Sequence, residues 1–488
     1  EHFRYSGPVQ RIWLASLDSR SIQKALATLK DNRDYANLRD SARARSQTDW
    51  LIGMNATRAM TLRGRESGRD GVLSMGRVQT PTLALVVNRD REIAAFTPID
   101  YLVLQATLQH DAGTFSAIFK PSETQPGLDS EGRLVDGATA QGIMDAVRGK
   151  NGIITSVTRE KKKKPVPLPH CLSSLQKAAS SKLGMTAQQV LDTAQSLYEK
   201  KLTTYPRTDC RYLPEEQFSD AARIITALSG VSGLEAVTAK ADSALRGPVW
   251  DTKKITAHHA IIPTGEEPRS LTAQEKELYL MIAVQYFLQF YPPMLYEAQK
   301  IQATIVETAW EARGRMIIEP GWTGFAAEED DEDAKKKEAE QSLPSVGNND
   351  AVLCADVDAL KKKTTPPSRF SEGSLIEAMA SIHRFVSDAK AKAVLKENEG
   401  IGSILETLKG RGFIAASGKS LVSTPLGQSL IDMTPDTLRD PVTTAQWEQR
   451  LEAITRGETS LEDFMREQYA ALPLLLAPVL STSAALQP

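Results

Sequence analysis

The segment Leu202-Thr203-Thr204-Tyr205-Pro206-Arg207-Thr208-Asp209 brings a tyrosine, a proline and an arginine together on an irregular turn. Proline disfavours helical geometry in the residue before it, so Tyr205 is predicted where a helix has just ended. A phenol held there beside a guanidinium suits attack on a phosphodiester, because arginine can bind phosphate oxygens through two hydrogen bonds. Most Tyr-Pro pairs are ordinary turns, so this segment alone leaves both interpretations open.

A helix is predicted immediately before this segment. Thr186 and Gln189 have the spacing of a capping box, in which each side chain accepts a hydrogen bond from the other residue's backbone N–H. Val190, Ala194 and Leu197 then recur at the intervals of a buried helical face. The tyrosine is therefore expected at the end of a rigid element.

Composition sets the broad class of the protein. A chain of 488 residues exceeds what one hydrophobic core supports, so three or four domains are expected. No apolar run is long enough to cross a membrane, and no signal peptide follows Glu1. Cys171, Cys210 and Cys354 are far apart and form no C-x-x-C pair, which favours a reducing compartment over a disulfide framework or zinc ribbon. The net charge of −2 argues weakly against nucleic acid, but the charges segregate along the chain.

The hydrophobic period changes along the chain and outlines its domains. Residues 1–96 are predicted to be largely helical. Apolar and polar residues alternate over Leu102–Leu108 and Phe115–Phe119, which predicts a β-hairpin, and Lys120–Leu134 is a polar loop after it. The alternation resumes at Ile301–Ile305, so a sheet begun in the first region is expected to be completed there.

A helical segment, residues 166–285, separates the two strand regions and is predicted to be inserted between two halves of one β-domain. Before it come a strand-like piece, Ile153–Val157, and the run Lys161–Lys164. Lysine runs are usually solvated linkers, and we interpret this one as a domain boundary with DNA contact as an additional candidate role. Near the other end, residues 403–431 predict a helix, a hairpin and a helix opened by Thr424-Pro425, which is a winged-helix-like unit.

Two segments are candidate contacts for a phosphate backbone. Asp40–Arg69 carries arginines at 43, 45, 58, 63, 65 and 69, with Trp50 available for stacking; the alternative is a solvated helix face. Gly76–Gln79 is a loop entering a helix, with Thr80 predicted as its N-cap and Pro81 as its first residue. A helix N-terminus binds anions readily, although the loop could equally be a tight connector.

Two adjacent histidines, His258 and His259, lie in the segment Ile255–Thr264. A histidine taken alone is most often a hydrogen-bonded structural residue. Neighbouring side chains also point in different directions, so at most one of the two is expected to face a shared site.

Five stretches together resemble one family, the type IA DNA topoisomerases, and most closely the bacterial topoisomerase III branch. They are Ala42–Arg58, Ser74–Leu83, Leu202–Pro214, Ala257–Thr264 and Glu399–Phe413. Each is modest alone, but they occur in family order and span nearly the whole chain, so chance does not account for them.

The resemblance implies a multidomain α+β fold, the torus of type IA topoisomerases. Residues 1–96 and 367–488 would form the helical single-strand-binding domain. Residues 97–160 and 289–366 would form an all-β arch, and residues 161–288 an inserted, helical, CAP-like domain that carries the tyrosine.

The resemblance also implies the chemistry. Tyr205 would attack single-stranded DNA and leave a 5′-phosphotyrosyl bond, Arg207 would stabilise the phosphoryl charge, and His258 would hydrogen-bond the scissile phosphate. The single-strand groove would be lined by Arg45, Asp49, Arg58, Arg77 and Gln79. The covalent bond stores the energy for resealing, so ATP is not expected. The polar loop Lys120–Leu134 falls where topoisomerase III enzymes carry a decatenation loop.

Two departures from the family pattern concern the catalytic machinery. The family's TOPRIM domain, whose acidic cluster holds Mg²⁺, is not present in this sequence, and Glu1-His2-Phe3-Arg4 falls just beyond its expected end. After Gly402 the family's Thr-x-Ala-Thr-Arg segment is replaced by Ser403-Ile404-Leu405. We therefore expect that the sequence is a trimmed form of a longer chain, that it contains no metal ligands and that it is inactive without the TOPRIM domain.

The expected activity of the intact protein is relaxation of negative supercoils and decatenation, with magnesium and without ATP. Single-stranded DNA is the expected partner, and a helicase or a single-strand-binding protein is expected as a further one. The protein is expected to be a monomer and to work in the cytoplasm, on the nucleoid or on a plasmid. One alternative is a non-catalytic single-strand clamp derived from the same fold. Another is a relaxase, but relaxases use a His-hydrophobic-His metal triad, and His258-His259 lacks the residue between.

Overall fold

The computed structural model describes residue 5 and residues 7–66, 68, 70–255, 258–326, 341–380 and 401–481. Of the residues quoted from the sequence, Glu1, His2, Phe3, Arg4, Arg69, Thr256, Ala257, Glu399 and Gly400 lie outside these ranges. The helices are α1 (Ser19–Leu26), α2 (Ala36–Glu66), α3 (Gln79–Ala95), α4 (Gly137–Val147), α5 (Leu172–Leu183), α6 (Ala187–Glu199), α7 (Ala221–Leu228), α8 (Glu235–Ala239), α9 (Ala273–Phe287), α10 (Glu372–Ala380), α11 (Ile401–Gly410), α12 (Pro425–Met433), α13 (Asp436–Arg439), α14 (Pro441–Thr455) and α15 (Leu461–Ser481). The strands are β1 (Gln10–Arg11), β2 (Lys30–Asp31), β3 (Asp100–His110), β4 (Gly113–Lys120), β5 (Asn151–Lys164), β6 (Met294–Ile305), β7 (Thr308–Glu319), β8 (Ala351–Lys363), β9 (Ile414–Ser417) and β10 (Ser420–Ser423).

These elements form two compact units, each of which is discontinuous in sequence. The helical unit comprises Glu1–Ala94, Leu168–Phe287 and Pro367–Pro488, and the barrel unit comprises Ala95–Pro167 and Leu288–Pro366. The finer domain boundaries expected from the sequence stay a prediction.

The barrel unit is a closed antiparallel barrel in the strand order β3-β4-β7-β6-β5-β8. Alternation builds its core, because Leu104, Ala106 and Leu108 of β3 all point inward with the fully buried Trp310 of β7. The predicted hairpin is confirmed as β3 and β4, and one sheet does include strands from both sides of the inserted segment.

The run Lys161–Lys164 is not a solvated linker, because β5 continues through all four lysines. It does lie close to the boundary between the two units, which falls between Pro167 and Leu168. Lys161 pairs with Glu297 of β6 and Lys164 with Met294. Lysine has little preference for strands, but register with a long partner strand overrides local propensity.

The helical unit has a large apolar core that includes Met60, Leu83, Phe413 and Leu430, and a smaller one around Phe464. The predicted winged-helix-like unit is confirmed as α11, the β9–β10 hairpin and α12, with the Thr424 side chain capping α12. None of the helices in the described ranges is long and apolar enough to span a membrane.

The predicted start of α3 is wrong by a short distance. The helix begins at Gln79, so Thr80 lies inside its first turn and is not the N-cap. The Thr80 N–H already bonds the carbonyl of Gly76, and the Thr80 hydroxyl accepts from the Gly76 N–H. Proline is tolerated at position 81 because the first turn leaves backbone N–H groups without helical partners.

Candidate active site and nucleic-acid interface

The tyrosine segment lies beside the histidine segment and is fixed to it by backbone hydrogen bonds. The N–H of Thr204 donates to the carbonyl of Ile262 over 2.9 Å, and the N–H of Thr264 donates to that of Leu202 over 3.1 Å. The buried Thr204 hydroxyl donates to the carbonyl of Ala260 over 3.0 Å and accepts from the Ile262 N–H over 2.9 Å. Two segments far apart in sequence are thereby held in one register.

The predicted helix before the tyrosine is confirmed as α6, and its capping box between Thr186 and Gln189 is formed. The chain leaves the helix through Lys201, whose φ of 64° is in the left-handed region. Tyr205 therefore lies in a turn a few residues beyond a buried helix, as its proline neighbour predicts.

Aromatic rings surround Tyr205. Its ring centroid lies 4.3 Å from that of His258, and Tyr198 contacts it edge-on at 5.5 Å. The Trp13 ring also contacts His258, with ring centroids 5.3 Å apart. The backbone N–H of Tyr205 also donates to the carbonyl of Ala15 over 2.8 Å. The tyrosine is held by its backbone and by ring contacts, and its ring stays partly exposed.

His258 is half-buried, and its Nδ1 is a buried atom with no hydrogen-bond partner among the described residues. Desolvation lowers the pKa of its imidazole. Burial thus favours the neutral form of the imidazole, and the ring has a nitrogen whose hydrogen-bonding capacity no described residue uses.

His259 points away from this site and has a structural role. Its Nδ1 lies 2.8 Å from the carbonyl of Ala260, so Nδ1 carries the proton, and Nε2 accepts from the Gln217 amide over 2.9 Å. Burial lowers the pKa of His259 to about 4. Of the two adjacent histidines, only His258 contacts Tyr205.

Two buried histidines are expected to make the fold sensitive to acid. Burial lowers the pKa of His170 to about 3, as it lowers that of His259 to about 4. Both folded-state pKa values lie below the unfolded-state pKa of about 6.5. The stability that these neutral histidines contribute is therefore fully present above about pH 6.5 and falls as the pH drops toward the folded-state pKa values. At about pH 5 each histidine should cost about 2 kcal/mol of unfolding free energy relative to pH 7. Urea denaturation at both pH values measures the loss.

The matched variant is His259→Gln, whose amide can keep both hydrogen bonds without titrating. Its unfolding free energy should fall less than the parent's between the two pH values, by the contribution of one histidine. An equal fall in parent and variant would contradict a neutral, buried His259.

Arg207 differs from its neighbour Arg211 in what its guanidinium contacts. Arg211 donates to the carbonyls of Pro169 and Leu168, over 2.8 and 2.6 Å, and so fixes the local backbone. Arg207 is exposed and makes no ion pair with any described residue. It is therefore free to bind an anion beside Tyr205.

A second cluster joins α2, the loop before α3, and α14. The Arg77 guanidinium is 1% exposed and lies 2.8 Å from Asp49 and 2.5 Å from Glu448. Arg45 contacts both oxygens of the same Glu448, over 2.8 and 2.6 Å. Burial opposes the charge of Arg77, but the two carboxylates outweigh it and raise the pKa of Arg77. Arg77 is thus a buried link, and Arg45 and Asp49 are the more exposed members.

The structure does not bring all the predicted groove residues together. Gln79 is two residues from Arg77, and its amide donates to the carbonyl and hydroxyl of Ser74, over 3.2 and 2.8 Å. Arg58 is nine residues beyond Asp49 on α2, so it projects about 180° away around the helix axis. It lies instead on an exposed stripe with Trp50.

The described residues that sequence reasoning missed are Trp13 and Glu448. Trp13 packs on His258 and Glu448 binds both Arg45 and Arg77, in each case across hundreds of residues of chain. No local pattern marks either residue, because its significance comes only from its distant partner.

Comparison with known proteins identifies the family. The model of a family described as DNA topoisomerase matches residues 33–466. The DNA topoisomerase 3 of Vibrio cholerae is 38% identical over 487 residues, which cover 96% of this chain and 74% of that protein. The chain belongs to the type IA DNA topoisomerases, in the bacterial topoisomerase III branch.

Two further matches agree with this type IA topoisomerase assignment. The DNA topoisomerase 3 of Haemophilus influenzae is 37% identical over 490 residues, covering 96% of this chain and 74% of that one. The solved structure of full-length topoisomerase I from Thermotoga maritima matches with a TM-score of 0.71 and 22% identity, over 95% of this chain and 72% of that chain. The match to the Thermotoga maritima structure shows the fold, so the type IA topoisomerase fold predicted from the sequence is confirmed.

The described residues offer no cluster that fits a magnesium ion: in these ranges, no three or more His, Cys, Asp or Glu side chains group so as to hold a metal.

Proposed function

We propose that Tyr205 is the nucleophile of a reversible single-strand break in DNA. Its Oη loses its proton and forms a bond to phosphorus while the bond from phosphorus to the 3′ oxygen breaks and that oxygen takes up a proton, leaving a 5′-phosphotyrosine and a 3′-hydroxyl. One phosphodiester replaces another, so resealing needs no ATP. The observation that carries this proposal is the Tyr205–His258 ring contact at 4.3 Å, beside an Arg207 with no ion-pair partner in the described chain.

Arg207 and His258 have complementary roles in this proposal. Arg207 binds the non-bridging phosphate oxygens and offsets the charge that develops as Tyr205 attacks. His258 donates a hydrogen bond to the scissile phosphate. A bound phosphate favours the protonated imidazole, which opposes the effect of desolvation on the pKa of His258.

The single-strand groove is proposed to include Arg45, Asp49, Arg77, Gln79 and Arg58. Arg45 and Asp49 are the cluster members exposed enough to contact DNA, while the buried Arg77 holds them in place. Arg58, on the stripe with the 66% exposed Trp50, contacts the strand at a second point along α2.

The magnesium dependence implied by the family stays a proposal, with its ligands in the TOPRIM domain. On the same view, the acid that gives a proton to the leaving 3′ oxygen also belongs to that domain. Decatenation, a monomeric state, a cytoplasmic location and cooperation with a helicase or single-strand-binding protein are proposed from family membership.

Replacing His258 with alanine tests the proposed site. Because the phosphate loses one hydrogen bond, covalent adduct formation on a single-stranded oligonucleotide should fall about 10- to 100-fold, while Kd for the uncleaved strand changes less than about threefold. The full-length protein is assayed with magnesium, and adduct retained through denaturation is quantified.

His259→Gln is the matched control, because this neighbour faces away from Tyr205. It should keep adduct formation near the parent level at neutral pH. Equal losses in the two variants would mean that this segment affects cleavage through folding alone. Tight strand binding without adduct in the parent would favour the non-catalytic clamp.

A further inference from the structure

The last part of β5 presents a row of cations on one face of the barrel unit. Residues alternate between faces in a strand, so Arg159, Lys161 and Lys163 share one face at intervals of roughly 6.8 Å. All three are exposed. Within the described residues, β8 pairs with β5 only from Asn151 to Ile153, so β5 has one open edge along this row.

These three cations have no ion-pair partner among the described residues. Lys162, which points to the opposite face of the same stretch, does have one, because it lies 3.1 Å from Glu160. Among the residues that the structure describes, Arg159 donates only to the Ser345 hydroxyl, over 3.4 Å. Two carboxylates share this face: Glu297 is the cross-strand neighbour of Lys161 and accepts from the neutral Gln299 amide over 2.7 Å, and Glu319 of β7 lies opposite Leu295. The three cations outnumber these carboxylates, and none of the three is in an ion pair among the described residues, so the row keeps positive charge for a ligand.

The row is unfavourable for the strand that contains it. Lysine has low strand propensity, and like charges on one face repel. Lysines do protect open strand edges against aggregation, but that role does not require a row on a single face. A second run, Lys361–Lys363, ends β8, and of its lysines only Lys363 has an acidic partner among the described residues, Asp100 at 3.7 Å.

The polar loop of this unit, Lys120–Leu134, has no comparable row of unpaired cations. Lys120 lies 3.7 Å from Glu311, which also binds Lys300 and Arg313, and Arg133 is paired with Asp129 over 2.7 Å. Each of the two cations of the loop is thus already in an ion pair, whereas the β5 row has no such pair among the described residues.

We propose that Arg159, Lys161 and Lys163 form a second DNA-binding surface, which contacts the phosphate backbone without reading sequence. Met316 of β7, 46% exposed, and Leu295 of β6 share this face and give apolar contact to sugars or bases. The proposal rests on the chain acting on DNA, and it assigns the barrel unit a direct part in holding the substrate, apart from cleavage at Tyr205.

The test is the triple variant Arg159→Gln/Lys161→Gln/Lys163→Gln in the full-length protein. Binding to single-stranded and to duplex DNA is measured over a range of salt concentrations. Each phosphate contact contributes about 0.7 to the slope of log K against log salt for a single strand and about 0.9 for a duplex. The triple variant should therefore lose about 2 from the slope for a single strand or about 3 from the slope for a duplex. Whichever of the two slopes falls identifies the form of DNA that the row binds.

Lys162→Gln is the matched control, because it removes a paired lysine from the same stretch of strand. It should leave both slopes within about 0.3 of the parent. Adduct formation on a short oligonucleotide should be unchanged in both variants, so failure here is distinguishable from failure of the proposed chemistry.

Three results would overturn the proposal. Unchanged slopes with increased aggregation would mean that the row only protects a strand edge. If the triple variant and the Lys162→Gln control lost equal slope, DNA would be bound by the general positive charge of the strand and not by this row. Weaker binding of polyglutamate with unchanged DNA binding would assign the surface to an acidic protein segment. Circular dichroism and the thermal midpoint verify that each variant is folded.

Discussion

Replacing Tyr205 with phenylalanine should abolish covalent cleavage, with a loss of at least about 10⁴-fold, because the phenyl ring has no oxygen to form the bond to phosphorus. The phenyl ring keeps the contacts with His258 and Tyr198, and the backbone bond to Ala15 does not involve the side chain. Strand affinity should therefore stay within about twofold, since the substitution removes no phosphate-binding group.

The position of the label makes this experiment specific. A 5′-phosphotyrosine keeps the 3′ portion of the strand on the protein, so a label near the 3′ end should enter the adduct. A label at the 5′ end should appear instead on a shortened free strand with a 3′-hydroxyl. Full-length protein with magnesium is denatured before electrophoresis, and relaxation of supercoiled plasmid is followed in parallel.

Tyr198→Phe is the control, because Tyr198 contacts the same ring from α6. It should retain adduct formation. If the Tyr205 variant still formed the adduct, or if only the Tyr198 variant lost it, Tyr205 would not be the nucleophile.

Replacing Glu448 with glutamine should destabilise the helical unit by about 3 kcal/mol, since it leaves a buried cation with one carboxylate fewer. Arg77 is 1% exposed and would keep Asp49 as its only anionic partner among the described residues. The glutamine amide would offer Arg45 and Arg77 one acceptor oxygen in place of the two carboxylate oxygens. The measurement is the urea midpoint of the unfolding transition that involves this unit, with the slope m checked for change.

Glu452→Gln is the matched control, one turn further along α14. Its partner Arg456 is 3.2 Å away, and both side chains are more than 40% exposed. Surface pairs of this kind contribute less than about 1 kcal/mol, so the midpoint should barely move. Similar shifts in the two variants would show that the Arg77 cluster is not a stabilising link.

Local sequence patterns predicted much of this fold because the determining interactions are local. The capping box at Thr186 and the cap at Thr424 each involve residues within three positions, and both are formed. The alternation over β3 and β4 depends only on which face is buried. The tyrosine turn follows from the backbone of Pro206.

The remaining features depend on partners that no local pattern reveals. Lys161–Lys164 is strand because β6 pairs with it, although its residues favour a solvated loop. Glu448 and Trp13 gain their significance from Arg77 and His258, far away in sequence. Arg58 is predicted by the family motif, and only the helical phase of α2 reveals that it points away from Asp49.

The pairing of β5 with β6 constrains the order in which the chain folds. Lys164 and Met294 are direct partners, yet about 130 residues separate them along the chain. Closing so long a loop costs about 4 kcal/mol of chain entropy, against about 1 kcal/mol for a four-residue turn. Early folding of the inserted helices would shorten the effective loop before the strands meet. The last contact of the barrel to form is therefore set by how quickly a different part of the chain becomes ordered.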